Sequence, residues 1–355
     1  MPLSRLSRTA LIAMLCTIVL AFSAFSGCLS GLPVQGKFTE PRAYICQADA
    51  GIVSVLNQTS GATVAKIEMP ARPLGAAVSR DGGRVYVSNG RNVSIIDART
   101  NKITGSIPTR APTTGHLAVS PDDKRLFVVC DGGLSIIDLA RGKGNESAFV
   151  EGVTAMDIGT SKDGKYVFTT DWARCALQVT NTQTGRLEMT INLLSRDLPQ
   201  GSTTWKGEQV ALAGQAAGLD VSPDGKQAAV GIRDGSFVPI VDLQSLSVKE
   251  TISLNGTSYQ GVAYSPDGSR LYLAHYDGNR IVALDTQTYG LAGYIPVGEK
   301  PMMIEITPDG KLMYVTHEHS EVKVVSLPDG TLLKTLNMIV SGNGKTIAFN
   351  PAAAD

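Results

Sequence analysis

The chain has no excess of charge and few cysteines. Its 355 residues include 32 lysines and arginines against 32 aspartates and glutamates, so the formal net charge is zero. A neutral chain offers no bulk electrostatic attraction to nucleic acid or to anionic lipid, so we expect no nucleic-acid partner. Five cysteines in a chain of this length exclude a disulfide-packed miniprotein, and a hydrophobic fraction of 43% excludes a disordered chain.

The sequence also lacks the short motifs that mark common catalytic sites. It contains no Gly-x-Ser-x-Gly nucleophile motif, no phosphate-binding Gly-rich loop, no His-Glu-x-x-His and no Cys-x-x-Cys. Any enzymatic activity must therefore use residues that are far apart in the chain. This absence favours a binding or scaffold module over an enzyme.

The first 28 residues have the layout of an export signal. Two arginines near the N-terminus precede a 16-residue apolar stretch, residues 10–25, which is too short to span a membrane as a helix. No comparable apolar run occurs later in the chain. We therefore predict a signal peptide at residues 1–27, a tether at residues 28–41 and an exported folded domain at residues 42–351.

The end of the apolar stretch carries a possible modification site. The segment Phe25-Ser-Gly-Cys28 resembles the lipobox of bacterial and archaeal lipoproteins, with phenylalanine where that motif prefers leucine. The resemblance implies that Cys28 becomes a lipidated N-terminus and anchors the domain to a membrane, in the periplasm or on the cell surface. The alternative is an ordinary secretory signal that is cleaved nearby.

A repeat of about 42 residues organises the rest of the chain. In each copy a Ser or Thr is followed two residues later by Asp, usually with Gly next. These motifs begin at Ser79, Ser120, Ser161, Ser222, Ser265 and Thr307, with a degraded copy at Asn350. Pro, Asp and Gly favour tight turns and the flanking runs are apolar and β-rich, so each motif predicts the tip of a β-hairpin. Four antiparallel strands in a unit of this length are typical of a propeller blade.

The two ends of the chain predict how the ring of blades closes. The domain begins near Arg42 with a second strand and ends near Phe349 with a first strand, so both ends share one closing blade. With six complete blades this predicts an all-β, seven-bladed propeller. The tips and strands such as Arg84-Val-Tyr-Val and Leu312-Met-Tyr-Val resemble the YVTN family of seven-bladed propellers, which includes YncE-like proteins. The resemblance implies an extracytoplasmic binding protein or surface-layer component and, more distantly, a sugar lactonase or a haem-binding propeller.

Two segments depart from the repeat. Pro239 and Ile232 interrupt the pattern of the fifth blade, which we therefore predict to be irregular. The insertion at residues 195–214 has a loop-like composition. We predict that it covers one face of the disc as a lid, with a tolerated surface insertion as the alternative.

Unusual residues collect on one rim of the predicted propeller. The residue ten positions after each tip Ser or Thr ends a second strand, and six of these seven positions are polar or contain sulfur. All four histidines and both tryptophans fall on the same rim. We predict a site for a small molecule or a protein partner at Gln47, Asn89, Asp171, Trp172, Trp205, His275 and His317.

Four residues on first strands predict an alternative, catalytic function. First strands line the predicted central channel and carry mostly small side chains, but His116, Asp157, Asp220 and Glu305 are exceptions. Grouped carboxylates recruit a cation, and a nearby histidine ligates it or transfers a proton. They therefore predict a lactonase-like hydrolase with a divalent cation. The competing interpretation is that these side chains bond to water and backbone in a wet channel.

The rim also predicts metal, haem or disulfide chemistry. His275 and His317 occupy equivalent positions, and the spacing of His317 and His319 puts both on one side of a strand, so the three predict a transition-metal site. The resemblance to haem-binding propellers implies His275 or His317 as an axial ligand. Cys130 and Cys175 lie on neighbouring blades and predict a disulfide, with buried free thiols as the alternative.

Overall fold

The computed structural model describes residues 41–140, 145–194, 202–205, 208–211, 214–318, 321–338 and 347–350. They all belong to the unit Glu40–Asp355. The predicted signal peptide and Cys28 lie outside the described residues. Within the described part of the chain, no helix has the length and hydropathy needed to cross a membrane.

The described residues form 30 β-strands, numbered here in chain order. The strands are β1 Arg42–Gln47, β2 Ile52–Asn57, β3 Thr63–Glu68, β4 Pro73–Val78, β5 Arg84–Asn89, β6 Asn92–Asp97, β7 Lys102–Pro108, β8 Thr113–Val119, β9 Arg125–Cys130, β10 Gly133–Asp138, β11 Asn145–Glu151, β12 Ile158–Thr160, β13 Tyr166–Asp171, β14 Ala176–Asn181, β15 Arg186–Asn192, β16 Ser202–Trp205, β17 Glu208–Ala211, β18 Gln215–Val221, β19 Gln227–Arg233, β20 Phe237–Asp242, β21 Ser247–Ser253, β22 Tyr259–Tyr264, β23 Arg270–His275, β24 Arg280–Asp285, β25 Leu291–Pro296, β26 Pro301–Ile306, β27 Leu312–His317, β28 Glu321–Ser326, β29 Leu332–Asn337 and β30 Ile347–Phe349.

Most strands pair in antiparallel meanders of four. Five sheets have the orders β4-β5-β6-β7, β8-β9-β10-β11, β12-β13-β14-β15, β26-β27-β28-β29 and β30-β1-β2-β3. Strands β18 to β25 form one eight-stranded sheet, in which two meanders are joined by the single residue pair Ile232 and Tyr259. Pro239, which lacks an N–H for the ladder, lies in the first of these meanders, so the irregularity falls where the sequence departs from the repeat. Strands β16 and β17 pair as a hairpin within the insertion, where a loop was expected.

Each hairpin tip is closed by its own Ser or Thr and Asp. In the first tip, Ser79 Oγ donates to Asp81 Oδ1 at 2.6 Å and accepts the Arg84 N–H at 2.9 Å. The same two bonds recur at the five other tips. The fourth tip residue has a positive φ, 70° at Gly82 and 56° at Asp123, which explains why glycine is preferred there. The sequence repeat is therefore the repeat of one turn geometry.

A second repeated bond links the inner strands, by which we mean the first strand of each meander: β4, β8, β12, β18, β22, β26 and β30. Ser88 in β5 accepts the N–H of Gly75 in its own inner strand at 3.0 Å. It donates to the carbonyl oxygen of Gly115 in the next inner strand at 3.1 Å. Thr170 makes the same bridge to the carbonyl oxygen of Ala217 at 2.8 Å. The sheets are thereby held side by side around their inner strands, which is the arrangement of a β-propeller.

The apolar core lies between neighbouring sheets. Phe168 and Leu177 of the β12–β15 sheet pack against Leu219 and Val230 of the β18–β21 meander, and all four side chains are fully buried. Burial of one such side chain stabilises the fold by about 1.5–3 kcal/mol. Each sheet therefore depends on its neighbours for stability.

Each outer strand, the fourth of its meander, carries one extra residue. In the pairing of β2 with β3, Val55 faces Ala65 and Leu56 faces Thr63, so Val64 has no partner across the pair. The third and fourth strands of all seven meanders shift register at the equivalent place. Such a bulge bends and twists the strand that contains it.

Candidate functional site

The polar residues predicted for the rim lie at the ends of second strands. Gln47, Asn89, Asp171, His275 and His317 are the last residues of β1, β5, β13, β23 and β27. All five are buried, with exposed fractions of 8% or less. Their side chains contact neighbouring parts of the fold, so they stabilise the strand ends, and a role in ligand binding stays a prediction.

One such contact is repeated at three blades. Gln47 Nε2 donates to Ser54 Oγ at 2.6 Å, and Asn89 Nδ2 donates to Ser94 Oγ at 2.7 Å. Cys130 Sγ lies 3.4 Å from the hydroxyl of the equivalent serine. In each case the last residue of the second strand bonds to a buried serine on the third strand.

Asp171 and His317 have other partners. The Asp171 carboxylate accepts one hydrogen bond from the guanidinium of Arg174, at 2.7 Å, and one from the backbone N–H of Arg174, at 3.1 Å. His317 Nδ1 donates to the carbonyl oxygen of Glu299 at 2.7 Å. Asp171 therefore caps its own turn, and His317 is tied to the chain that precedes its inner strand.

The structure brings together no complete metal site. Among the described residues, no group of three His, Cys, Asp or Glu side chains could hold a metal ion. His319 and the side chain of Trp205 lie outside the described part of the chain. The metal site at His275, His317 and His319 therefore stays a prediction.

His275 is enclosed on both edges of its ring. The ring stacks on Tyr259, with the two centroids 4.5 Å apart. A Cβ added at Gly256 would lie 2.6 Å from Nε2, and one added at Gly278 would overlap Nδ1. The backbone at these two glycines therefore packs close to the ring, and the predicted role of His275 as a haem ligand stays a prediction.

His275 also predicts a pH dependence of stability. Burial lowers its pKa below the ordinary value of 6.5, and the Arg280 guanidinium lowers it further, against the opposing effect of Asp277. The unfolded chain then binds the proton more readily, so stability falls as the pH drops below 6.5 and the loss is complete below the folded-state pKa. Between about pH 7.5 and about pH 5.5, we expect the stability of His275→Gln against urea to fall less than that of the wild type. Equal slopes in the two proteins would contradict this.

The three described cysteines are free and buried, so the predicted disulfide between Cys130 and Cys175 is wrong. Cys130 belongs, with Tyr86, to the core between the β4–β7 and β8–β11 sheets. Cys175 belongs, with Leu219, to the core between the β12–β15 sheet and the β18–β21 meander. The two thiols thus face different inter-sheet cores. Burial raises the pKa of Cys175 to about 12, and that of Cys46 to about 12, so both thiols stay protonated.

Two carboxylates predicted for the channel connect neighbouring inner strands. Asp157 Oδ2 accepts the Leu219 N–H at 2.8 Å, and Asp220 Oδ2 accepts the Tyr264 N–H at 2.8 Å. The other carboxylate oxygen of each accepts the N–H of the residue that follows it. Glu305 lies half-buried on β26. The bonds of the two aspartates match the interpretation of channel residues that bond to backbone.

One cavity brings three of the predicted residues, His116, Trp172 and Cys130, together. It has a volume of about 300 Å³ and is lined by His116 and Trp172, together with Thr114, Asp131 and residues 153–156. These residues belong to, or flank, the β8–β11 and β12–β15 sheets. Residues 153–156, before β12, carry no recognisable motif, so nothing in the sequence predicts that they line the cavity.

Unsatisfied polar atoms occur in this cavity. His116 and Asp157 are 2% and 1% exposed, and His116 Nδ1 lies 3.8 Å from Asp157 Oδ1, beyond hydrogen-bond distance. Among the described residues neither His116 Nδ1 nor Thr154 Oγ1, both buried, has a hydrogen-bond partner. Buried polar atoms are normally partnered, so these two are exceptions among the residues that line the cavity.

Two solved structures share the fold, each with a TM-score of 0.64. One is the hydrazine synthase of Kuenenia stuttgartiensis, at 17% identity, which covers 87% of this chain and 99% of that one. The other is a candidate 6-phosphogluconolactonase from Bacteroides uniformis, at 19% identity, which covers 88% of this chain and 100% of that one. At these identities the likeness shows the fold alone.

Sequence comparisons give the family. The chain is 25% identical over 302 residues to the seven-bladed beta-propeller protein Rv1057 of Mycobacterium tuberculosis, across 76% of this chain and 75% of the relative. The model of the PQQ_2 family, described as outer membrane protein assembly factor BamB, matches residues 49–336. With its all-β propeller fold, the chain therefore belongs to this family.

Proposed function

We propose that this protein is a binding module of the cell envelope, anchored by lipid on Cys28, that takes a small ligand into the cavity beside His116 and Trp172. The cavity carries the proposal. Its lining combines apolar and aromatic side chains with a few polar groups, as ligand pockets generally do. Two buried polar atoms among its lining residues have no partner in the described part of the chain.

The proposal includes a seven-bladed, YncE-like propeller whose closing blade is shared by the two ends of the chain. The pairing of β30 with β1 in one four-stranded sheet supports this reading. The printed name of the mycobacterial relative, a seven-bladed propeller, supports the blade number.

The envelope location has its own test. The family description refers to the outer membrane, which supports an extracytoplasmic site of action. In a bacterial host fed an alkyne-labelled palmitate, we expect the full chain to incorporate label and to sediment with membranes. The Cys28→Ser variant should do neither. Labelling of that variant would overturn the lipid anchor.

The binding function is tested by a thermal-shift screen with a library of small metabolites. A ligand at a hundredfold excess over its Kd stabilises the folded state by about 2.7 kcal/mol. We expect at least one compound to raise the unfolding temperature of the wild type and not that of Trp172→Ala. Tyr294→Ala, an exposed aromatic on β25, is the matched control and should respond like the wild type. If every active compound also stabilises Trp172→Ala, the cavity is not the binding site.

A lactonase-like hydrolase is the second candidate function. The observation that favours it is that two buried titratable side chains, His116 and Asp157, lie 3.8 Å apart, since a histidine near a carboxylate can act as a general base. Lactone hydrolysis that is lost in His116→Gln and sensitive to EDTA would place this candidate first. Asp220→Asn is expected to leave such activity in place, because Asp220 bonds to backbone N–H groups.

A further inference from the structure

We propose that the cavity beside His116 and Trp172 selects a small organic cation, such as a primary or quaternary ammonium compound. This inference rests on the proposed function, because it names the class of ligand for the same cavity. Three properties of the lining carry it: the hydrogen-bonding character of its polar groups, its charge, and its aromatic wall.

The polar groups around the cavity are mainly hydrogen-bond acceptors. Asp131 contributes a carboxylate, which accepts only. The hydroxyl of Thr114 donates its proton to the carbonyl oxygen of Val129 at 3.2 Å, so it offers lone pairs to a ligand. A ligand that donates hydrogen bonds, or carries positive charge, fits this set better than one that accepts them.

His116 adds a buried acceptor. Its side chain lines the cavity, is 98% buried, and turns Nδ1 toward the Asp157 carboxylate at 3.8 Å. A neutral imidazole keeps one ring nitrogen with a lone pair, so it can accept a hydrogen bond from a ligand.

The charge of the lining has one sign. The lining residues include the carboxylate of Asp131 and neither lysine nor arginine. Asp157 places a second carboxylate directly behind His116. A bound anion would meet two negative groups and no counter-charge, whereas a cation would be attracted by both.

Trp172 completes a surface that suits a cation. The electron-rich face of an indole attracts ammonium groups, more strongly than the rings of Tyr or Phe. Met156, also in the lining, adds a polarisable apolar contact for methyl or methylene groups. Together with the acceptors of Asp131 and Thr114, these side chains match an ammonium group attached to a short apolar chain.

The test measures binding of choline and of ethanolamine to the full chain by calorimetry. Each is compared with its neutral isostere, 3,3-dimethylbutan-1-ol or propan-1-ol. We expect at least one cation to bind about tenfold more tightly than its isostere, which corresponds to about 1.4 kcal/mol. Asp131→Asn and Trp172→Leu should each weaken that cation about tenfold, and the control Asp277→Asn, outside the cavity, should not.

The outcomes separate this inference from the proposed function. Equal binding of cation and isostere, or tighter binding of the isostere, overturns the ligand class. If neither cation binds while the metabolite screen returns compounds that depend on Trp172, the cation inference falls and the binding function stands. If the screen also returns no such compound, both fall.

Discussion

Replacing Gly75 with alanine is expected to destabilise the fold by about 3 kcal/mol. Gly75 lies in the inner strand β4, and a Cβ at this position would overlap the carbonyl oxygen of Gly115 in the neighbouring inner strand. The buried hydroxyl of Ser88 bridges the same two strands, so neither strand can move away without breaking that bridge. The midpoint of urea unfolding measures the effect.

A matched glycine on an outer strand controls for loss of glycine itself. Gly293 lies on β25, and a Cβ there would meet no atom within 4 Å. We expect Gly293→Ala to change stability by less than about 0.5 kcal/mol. If Gly75→Ala unfolds at the same urea concentration as the wild type, the inner strands are not packed as closely as described.

Ending the chain at residue 346, and so removing β30, is expected to cost about 3–5 kcal/mol or to prevent folding. Ile347 is 3% exposed and belongs to the core that also contains Tyr314. Phe349 packs edge-on against Tyr314, with ring centroids 5.1 Å apart. The Gln58 side-chain amide donates to the carbonyl oxygen of Asn350 at 3.2 Å, so the cut also removes a buried hydrogen bond. Without β30, the backbone of β1 loses its partner on one side.

The control for this cut is a chain that ends at Asn350. It keeps β30 and its bond to Gln58, so it should unfold at the same urea concentration as the wild type. Limited proteolysis gives a second measurement: the chain that ends at residue 346 should be cleaved much faster. Equal resistance of the two truncated chains to the protease would show that the pairing of β30 with β1 does not stabilise the fold.

The strands and turns were predictable because their signals are local. Ser79, Asp81 and Gly82 define one turn by bonds within six residues, and the same residues recur along the chain. The strand-end positions of Gln47 and His275 followed from that register. Their burial did not, because it depends on contacts with other strands, such as the stacking of His275 on Tyr259.

The sites were harder to predict because they depend on side-chain direction and on neighbouring sheets. The rim positions of Cys130 and Cys175 predict a disulfide. In the structure the two side chains lie in two different cores, one on each side of the space between the β8–β11 and β12–β15 sheets. The sequence predicts Asp157 to be a channel carboxylate, and its bond to the Leu219 N–H crosses between sheets. No pattern within one strand predicts such a contact.

The extra residue in each outer strand affects how readily the protein aggregates at high concentration. Seven outer strands expose rows of backbone groups that could template fibrils or other aggregates. The bulge interrupts each row and twists it, so that a second strand cannot pair along its length. Six of the seven outer strands also contain charged residues, but β25, Leu291–Pro296, contains none. On that strand, protection from self-association rests on the bulge at Ala292 and on Pro296, which has no N–H to donate.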